Sequence, residues 1–240
     1  MMKEQHQRTA MLLGEEAVKK LAEANVAVFG VGGVGGHVVE ALARCGVGNL
    51  SLIDSDTVNV TNINRQIIAL HSTLGQYKVE VAALRIKDIN PEAKVTVYPM
   101  FYLPENADQI DLSSFDYIVD AIDTVEAKVA LIENAKKAGV PIISSMGAGN
   151  KLDPTGFEIS DISKTSVCPL AKAIRTRLRA KGINHLKVVY SKERPMPPKL
   201  DEKGNLCPAS ISFVPSVVGL IIAGEVVADL TGVRSLGLGG

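Results

Sequence analysis

The 240-residue sequence has few cysteines, no net charge and no long apolar run. Its three cysteines, Cys45, Cys168 and Cys207, include no C-x-x-C pair. They cannot form a disulfide framework, and they argue against a structural zinc site. The 26 basic and 26 acidic side chains balance at pH 7. This balance excludes a uniformly basic nucleic-acid coat protein, although it is compatible with a local basic surface.

The sequence shows no targeting signal and no membrane span. Residues 1–8 are polar and lack the apolar centre of a signal peptide. The uncharged stretch 209–224 is interrupted by Pro215 and Gly219, and it falls short of the roughly 18 apolar residues that a span requires. We therefore expect a cytoplasmic protein without membrane contact. Its apolar helix over about 215–230 is expected to be buried or to lie at a subunit interface.

Short apolar runs alternate with segments of helical periodicity, a pattern typical of βαβ units and a mostly parallel sheet. The sequence predicts strands over 26–29, 50–53, 94–98, 117–121 and 141–145. It predicts one helix from the glycine cluster to about residue 45, and others over 74–89 and 125–138. The fold class is α/β, with a Rossmann-like sheet covered by helices on both faces.

Beyond residue 147 the pattern changes. We predict strands over 156–161, antiparallel in character, and 186–190, with a basic helix over 169–181 between them. A proline-rich loop over 193–205 is expected to be mobile. The sheet is therefore expected to be extended by antiparallel strands in the C-terminal part.

The chain is interpreted as one domain, 1–240, with a nucleotide-binding half over 1–150 and a substrate-binding half over 151–240. The second half contains a basic segment, residues 164–203, with eleven Lys or Arg, three acids and a formal charge of +8. In a neutral protein, such a segment indicates a polyanionic partner. A solvated helix face is the alternative interpretation.

A glycine cluster, G-V-G-G-V-G-G, occupies residues 30–36 after the first predicted strand. Glycines there allow positive φ and bring backbone N–H groups close to a phosphate at the positive end of the following helix. Asp54 ends the second strand, where its carboxylate can accept hydrogen bonds from both ribose hydroxyls. The pattern predicts a nucleotide site built from Gly30, Gly32, Gly33, Gly35 and Asp54.

Further polar residues favour a nucleoside triphosphate. They are Asp56, Asn62, Arg65, Gln66, Lys78 and, after the fourth strand, Asp123. Cations together with a carboxylate that can hold Mg²⁺ suit a triphosphate that is attacked at its α-phosphorus. Two alternatives remain open. Arg65 and Lys78 could pair with surface acids, and the glycine cluster alone would also suit an NAD-dependent oxidoreductase.

In chain order, these residues resemble the ThiF/MoeB/HesA family of ubiquitin-activating-type enzymes. The resemblance covers about residues 6–150. It comprises Arg8, G-x-G-G-x-G at 30–35, D-x-D at 54–56, N-x-x-R-Q at 62–66, Lys78 and D-x-x-D at 120–123. It implies a ligase-type adenylating enzyme that uses ATP and Mg²⁺.

The resemblance also implies residue roles. Asp54 would bind the ribose of ATP, with Asp56 and Gln66 in the same site. The phosphates would be bound by Asn62, Arg65 and Lys78. Asp123 would hold Mg²⁺, and Arg8 would reach the γ-phosphate from the partner subunit of a homodimer. The implied catalytic set is Arg8, Arg65, Lys78 and Asp123.

The second half separates branches of the family. The ThiF and MoeB branch typically carries two zinc-binding C-x-x-C pairs, which this sequence lacks. Segments 145–154, 161–165, 169–172 and 189–191 are similar to the branch that dehydrates threonylcarbamoyladenosine in tRNA. That branch adenylates the threonyl carboxylate, and cyclisation then releases AMP. The alternative is adenylation of the C-terminus of a ubiquitin-like sulfur-carrier protein.

The dehydratase resemblance implies a tRNA partner that carries the modified nucleoside beside its anticodon. We expect the tRNA to contact Lys164, Lys172, Arg175 and Arg179. A sulfur-transfer or cysteine desulfurase system is a further possible partner of this family. Ring closure within one side chain needs no enzyme nucleophile, because effective molarities reach ~10⁵–10⁸ M. We therefore expect Cys168 to have no catalytic role.

Overall fold

A seven-stranded sheet organises the computed structural model, which describes residues 4–200, 204 and 206–234, without the side chains of 206 and 207. The strands are β1 (Asn25–Phe29), β2 (Asn49–Ile53), β3 (Lys94–Tyr98), β4 (Tyr117–Asp120), β5 (Ile142–Ser145), β6 (Phe157–Asp161) and β7 (Lys187–Ser191). Their order is β3-β2-β1-β4-β5-β7-β6. All neighbours pair in parallel except β6 and β7, which pair antiparallel.

Helices cover both faces of this sheet. They are α1 (Gln7–Leu13), α2 (Glu15–Glu23), α3 (Gly35–Cys45), α4 (Lys78–Ile89), α5 (Val125–Ala138), α6 (Pro169–Ala180) and α7 (Phe213–Thr231). Buried side chains of α2, α3, α4 and α7 form one core layer. Those of α5 and α6 form the other. The predicted fold class is confirmed.

The central strand shows why the apolar runs become strands. Val26 and Val28 of β1 contribute to the first core layer, and Ala27 and Phe29 contribute to the second. All four side chains are fully buried, as expected for a strand that is covered on both faces. Each fully buried Val or Phe contributes about 1.5–3 kcal/mol to folding.

The structure differs from the sequence prediction at several places, the first being that helices α1 and α2 precede β1 where no helix was predicted. Helix α4 begins at Lys78 rather than residue 74, because His71–Thr73 forms a separate 3-10 turn and Thr57 bridges to Tyr77. The loop predicted over 193–205 includes a strand, β8 (Lys199–Leu200), that pairs antiparallel with β9 (Leu206–Cys207). Residues 201–203 and 205 of this loop lie outside the described residues, and its mobility stays a prediction. Strand β7 joins β5 in parallel, so β6 supplies the antiparallel edge.

By length and composition alone, α7 is one helix that could cross a membrane, with a mean hydropathy of 1.9 over its most apolar window. Half of that window is buried within the protein. Val214, Val218, Ile222 and Val226 of α7 belong to the first core layer. This packing is that of a core helix, which agrees with one of the two expectations for this segment.

A charged cluster joins the end of α7 to β7. Lys187 Nζ lies 2.7 Å from a Glu225 carboxylate oxygen and also pairs with Asp229 at 2.5 Å. Arg234 pairs with both acids, and the Tyr117 hydroxyl donates to Asp229 at 2.7 Å. Burial alone would raise the pKa of each carboxyl. For Glu225, the hydrogen bonds from Arg234 and Lys187 outweigh burial, and the pKa lies below its usual range. For Asp229, the hydrogen bonds from Lys187 and Tyr117 do the same.

This cluster predicts a loss of stability in acid. Because the folded pKa values are depressed, the cluster stabilises the fold above the unfolded carboxyl pKa of about 4 and ceases to do so as the pH falls further. We expect the free energy of unfolding to fall below about pH 4. In the Asp229→Asn variant, the free energy of unfolding should be lower at pH 7 and should depend less on pH. Urea denaturation between pH 3 and pH 7 measures both effects, and an unchanged pH dependence in the variant would contradict the assignment.

Candidate functional site

A cavity of about 690 Å³ opens at the carboxyl ends of β1, β2, β4 and β5. This is the edge of a parallel sheet where ligands bind. Ten of the residues predicted for the site line the cavity. They are Gly30, Gly32, Gly33, Asp54, Asp56, Asn62, Arg65, Gln66, Lys78 and Asp123. The structure therefore brings together residues that are separated by up to 93 positions in the sequence.

The glycine cluster forms a tight turn between β1 and α3. Gly30 has a φ of +87°, and its N–H donates to the Ile53 carbonyl at 2.8 Å. A Cβ atom on Gly30 would lie 2.6 Å from the Ala121 carbonyl oxygen, and one on Gly35 would lie 1.8 Å from the Gly30 oxygen. Gly35 is buried beneath the turn rather than on the cavity wall. Its role is therefore to let the turn close.

Asp54 is held rigidly at the end of β2. Its Oδ2 accepts the Val31 N–H at 2.7 Å, and its Oδ1 accepts the Asp56 N–H at 2.8 Å. Burial raises the pKa of this carboxyl, against the opposing effect of the Lys78 ammonium. The carboxylate connects the glycine turn to the chain after the second strand, and Asp54 lines the cavity.

Lys78 and Asp56 form an ion pair in the cavity wall. The Lys78 Nζ lies 2.6 Å from Asp56 Oδ2, and the lysine side chain is 6% exposed while the aspartate is 56% exposed. One alternative was that Lys78 could pair with a surface acid. It does pair with one, and that acid lines the same cavity. A triphosphate would compete with Asp56 for the ammonium.

The segment between β2 and α4 presents three more predicted residues. Asn62 Oδ1 accepts the Asn59 N–H at 3.0 Å, which caps a 3-10 turn. The Arg65 guanidinium donates to the Thr61 carbonyl at 3.0 Å and forms no ion pair with any described residue. Gln66 is buried, and its Oε1 has no hydrogen-bond partner in the described part of the chain. Arg65 and Gln66 thus retain polar groups that a ligand can use.

Asp123 lies in the chain between the two members of a buried ion pair, Asp120 of the D-x-x-D motif and Lys128, which was not among the predicted residues. Lys128 Nζ lies 3.0 Å from Asp120 Oδ2, with both side chains fully buried, and it also donates to the Ile122 carbonyl at 2.9 Å. Ser144 donates to the same Asp120 oxygen at 2.5 Å. These bonds fix the chain after β4 and leave Asp123 exposed at the cavity. The sequence signal that could have indicated this ion pair was Lys128, a charged residue at an apolar position of the helical pattern of α5.

The donor set at Asp123 suits a metal that is shared with phosphate. Within residues 4–200, 204 and 206–234, no group of three or more His, Cys, Asp or Glu could hold a metal ion. Mg²⁺ commonly binds one or two carboxylates and completes its shell with substrate phosphate oxygens and water. An exposed Asp123 in the same cavity as Arg65 and the glycine turn fits that arrangement and does not fit a site made of protein ligands alone.

The cavity continues into the predicted substrate half. Lys151, Cys168 and Leu170 line it there, and Lys151 was not among the predicted site residues. Cys168 is buried at the start of α6, and the expectation that it has no catalytic role stays a prediction. Burial raises the pKa of the Cys45 thiol. The side chain of Cys207 lies outside the described residues.

The basic segment is only partly available to a partner. Lys164, Lys172 and Arg179 are exposed and form no ion pair with a described residue. Arg175 donates to the Thr165 carbonyl at 3.0 Å and to its hydroxyl at 2.5 Å, so it also holds the turn before α6. Other members pair with acids outside the segment, as the contacts Lys181–Glu133, Lys192–Glu158 and Lys187–Glu225 show.

Arg8 lies apart from the cavity of its own chain. It is exposed on α1 and does not line the cavity. The neighbouring His6 packs against Gly46, at the end of α3 opposite to the glycine turn. Within one chain, α1 therefore lies near the end of the sheet opposite to the cavity. The predicted role of Arg8 in a partner's site stays a prediction.

Comparison with known proteins agrees with the geometry. The ThiF family model matches residues 5–238. The tRNA threonylcarbamoyladenosine dehydratase of Bacillus subtilis is 46% identical over 239 residues, which cover 94% of each chain. The Escherichia coli dehydratase is 42% identical over 207 residues, which cover 83% of this chain and 76% of that protein.

Solved structures show the same relationship. The structure of the Escherichia coli dehydratase TcdA in complex with ATP has a TM-score of 0.88 and 37% identity, over 95% of this chain and 94% of that one. A complex of TcdA with AMP gives the same values. The resemblance seen in the motifs is confirmed, and the chain belongs to the ThiF family.

Proposed function

We propose that this protein is an ATP-dependent tRNA threonylcarbamoyladenosine dehydratase. The observation that carries the proposal is the meeting of Asn62, Arg65, Lys78 and Asp123 with the glycine turn around one cavity. The Bacillus subtilis relative that matches nearly the whole chain bears this name, and the similar Escherichia coli dehydratase has been solved in complex with ATP and with AMP. A dinucleotide oxidoreductase would give these four polar residues no role.

The proposed chemistry begins with the threonyl carboxylate. One of its oxygens attacks the α-phosphorus of ATP, and pyrophosphate leaves. Arg65 and Lys78 stabilise the charge that develops on the phosphate oxygens. A nucleophilic atom of the carbamoyl group then attacks the acyl carbon, a proton is lost, and AMP departs. This closes the ring with the net loss of one water from the nucleoside.

The cofactor roles follow from the residues on the cavity wall. Asp54 would accept hydrogen bonds from the ribose, and the turn at Gly30 would face the phosphates. Asp123 would hold Mg²⁺, which shields phosphate charge when it is bound. No other protein carboxylate is needed, because the phosphates complete the metal's shell.

A homodimer is part of the proposal. Met11 and Leu12 on α1 are each 82% exposed, beside the exposed Arg8. Adjacent apolar side chains of this kind favour contact with another protein surface. A second copy that packs there would carry Arg8 towards the partner's cavity. A tRNA substrate further implies a cytoplasmic protein, and the proposal includes cooperation with a sulfur-transfer system.

The activity is tested directly with purified protein, ATP, Mg²⁺ and tRNA that carries threonylcarbamoyladenosine. We expect release of AMP and pyrophosphate, together with a nucleoside that is lighter by one water in mass spectrometry. Matched tRNA without the modification should give no AMP. Exchange of pyrophosphate that depends on a Gly-Gly carrier protein, and not on tRNA, would instead support the sulfur-carrier alternative.

The exposed face of α6 predicts an electrostatic contribution to tRNA binding. Lys172 and Arg179 lie seven residues apart, so they share one helix face. We expect Lys172→Glu/Arg179→Glu to weaken tRNA binding by about tenfold or more at 0.1 M salt, and to reduce the salt slope by about 2. Filter binding at several salt concentrations measures this. The control is Lys87→Glu/Lys94→Glu, which changes the same charge at the opposite edge of the sheet.

A further inference from the structure

Lys151 is a buried cation in the part of the cavity that lies beyond the nucleotide residues. It is 4% exposed and lines the cavity together with Gly147 and Cys168. Its Nζ donates to the Gly147 carbonyl at 2.8 Å and lies 5.2 Å from the centre of the Phe157 ring. The carbonyl and the ring fix the direction of the ammonium, but neither carries a negative charge.

The charge of Lys151 has no partner among the described residues. A lysine ammonium has three N–H donors, and the bond to Gly147 uses one of them. The acidic groups whose charge acts on it are the Cys168 thiol and the Glu193 carboxylate. Both oxygens of that carboxylate already accept backbone N–H groups, from Leu152 at 2.9 Å and Asp153 at 3.1 Å. Buried charges are normally paired, because leaving one unpaired is costly.

The strand order places Lys151 on the side of Asp123 away from the ribose site. Asp54 follows β2, the glycine turn follows β1, Asp123 follows β4 and Lys151 follows β5. These four strands are neighbours in that same order. Along the cavity, the expected sequence of ligand groups is therefore ribose, phosphates and then the group that attacks the phosphate. Lys151 lies at the third position.

We propose that the Lys151 ammonium binds the carboxylate of the substrate and holds it for attack on the α-phosphate. This rests on the proposed function, in which the attacking group is a carboxylate. The two N–H donors that no described residue uses suit the two oxygens of one carboxylate, one of which remains available for bond formation. Burial lowers the pKa of Lys151, an effect that Cys168 and Glu193 partly oppose, and an anionic substrate would favour its charged form.

Two substitutions test this proposal. Lys151→Met keeps the length and removes every donor, whereas Lys151→Gln keeps a neutral donor and serves as the second variant if the first does not fold. The control is Lys136→Met, which removes an exposed lysine of α5 that does not line the cavity. AMP release is measured against concentration of modified tRNA, and ATP affinity is measured separately by titration without tRNA.

For Lys151→Met we expect the KM for modified tRNA to rise about 10- to 100-fold, because a hydrogen bond to a charged group is lost. Lys151→Gln should show a smaller increase, and Lys136→Met none. The dissociation constant of ATP should stay within twofold in all three variants. An unchanged KM, or a loss of ATP affinity parallel to the rise in KM, would overturn the proposal. Failure of the unsubstituted protein to release AMP with modified tRNA would instead reject the proposed function.

Discussion

Asp123→Asn should reduce the rate of AMP formation by about 10²–10³-fold. The carboxylate is exposed at the cavity and accepts a long hydrogen bond of 3.3 Å from Thr124 Oγ1, so the substitution removes little from the fold. The amide keeps the shape of the side chain but loses the charge that would hold Mg²⁺. The measurement is steady-state AMP release with ATP and modified tRNA.

The Mg²⁺ dependence separates metal binding from other roles of Asp123. In the variant, the Mg²⁺ concentration that gives half-maximal rate should rise, and the melting temperature should stay unchanged. Asp108→Asn, an exposed acid away from the cavity, is the matched control and should behave like the unsubstituted protein. A variant with full activity and normal Mg²⁺ dependence would remove Asp123 from the proposed site.

Gly35→Ala should reduce ATP affinity by about 10²-fold or more. The added Cβ would lie 1.8 Å from the Gly30 carbonyl oxygen, so the glycine turn must move to admit it. A displacement of about 1 Å in a site can cost about 10²-fold in rate. The same clash should destabilise the fold by about 1–3 kcal/mol. Isothermal titration with ATP and urea denaturation measure the two effects.

Gly48→Ala provides a closely matched control for this substitution. Its Cβ would also lie 1.8 Å from a carbonyl oxygen, that of Ala22, but Gly48 precedes β2 and so lies at the end of the strands opposite to the cavity. We expect a similar loss of stability with unchanged ATP affinity. Equal losses of affinity in both variants would show that the effect of Gly35→Ala comes from general destabilisation, and not from the shape of the turn.

Local sequence rules predicted the nucleotide half well. The predicted bounds 94–98 and 125–138 match β3 and α5. The glycine cluster and Asp54 were recognisable because the geometry of a phosphate-binding turn restricts which residues can form it. Residues after strand ends could be assigned to one site because parallel strands direct their carboxyl ends to the same edge.

The second half was less predictable because its structure depends on long-range contacts. Alternating apolar residues indicate a strand but not its neighbour, so the sequence did not show that β7 pairs in parallel with β5. Arg175 reads as a surface charge in a basic segment, yet it also donates to the turn at Thr165. Lys151 carries no local mark of a buried site residue, since its burial depends on Phe157 and on the chain after β5.

The sequence by itself determined the family, the fold class and the residues that would meet a triphosphate, because turn glycines, strand periodicity and motif spacing are local properties. Only the tertiary structure decided how charges are paired. It joined Lys78 to Asp56, buried Lys128 against Asp120 and left Lys151 without a described counter-ion. Ion pairing depends on distances between side chains that are remote in the chain, and folding alone sets those distances.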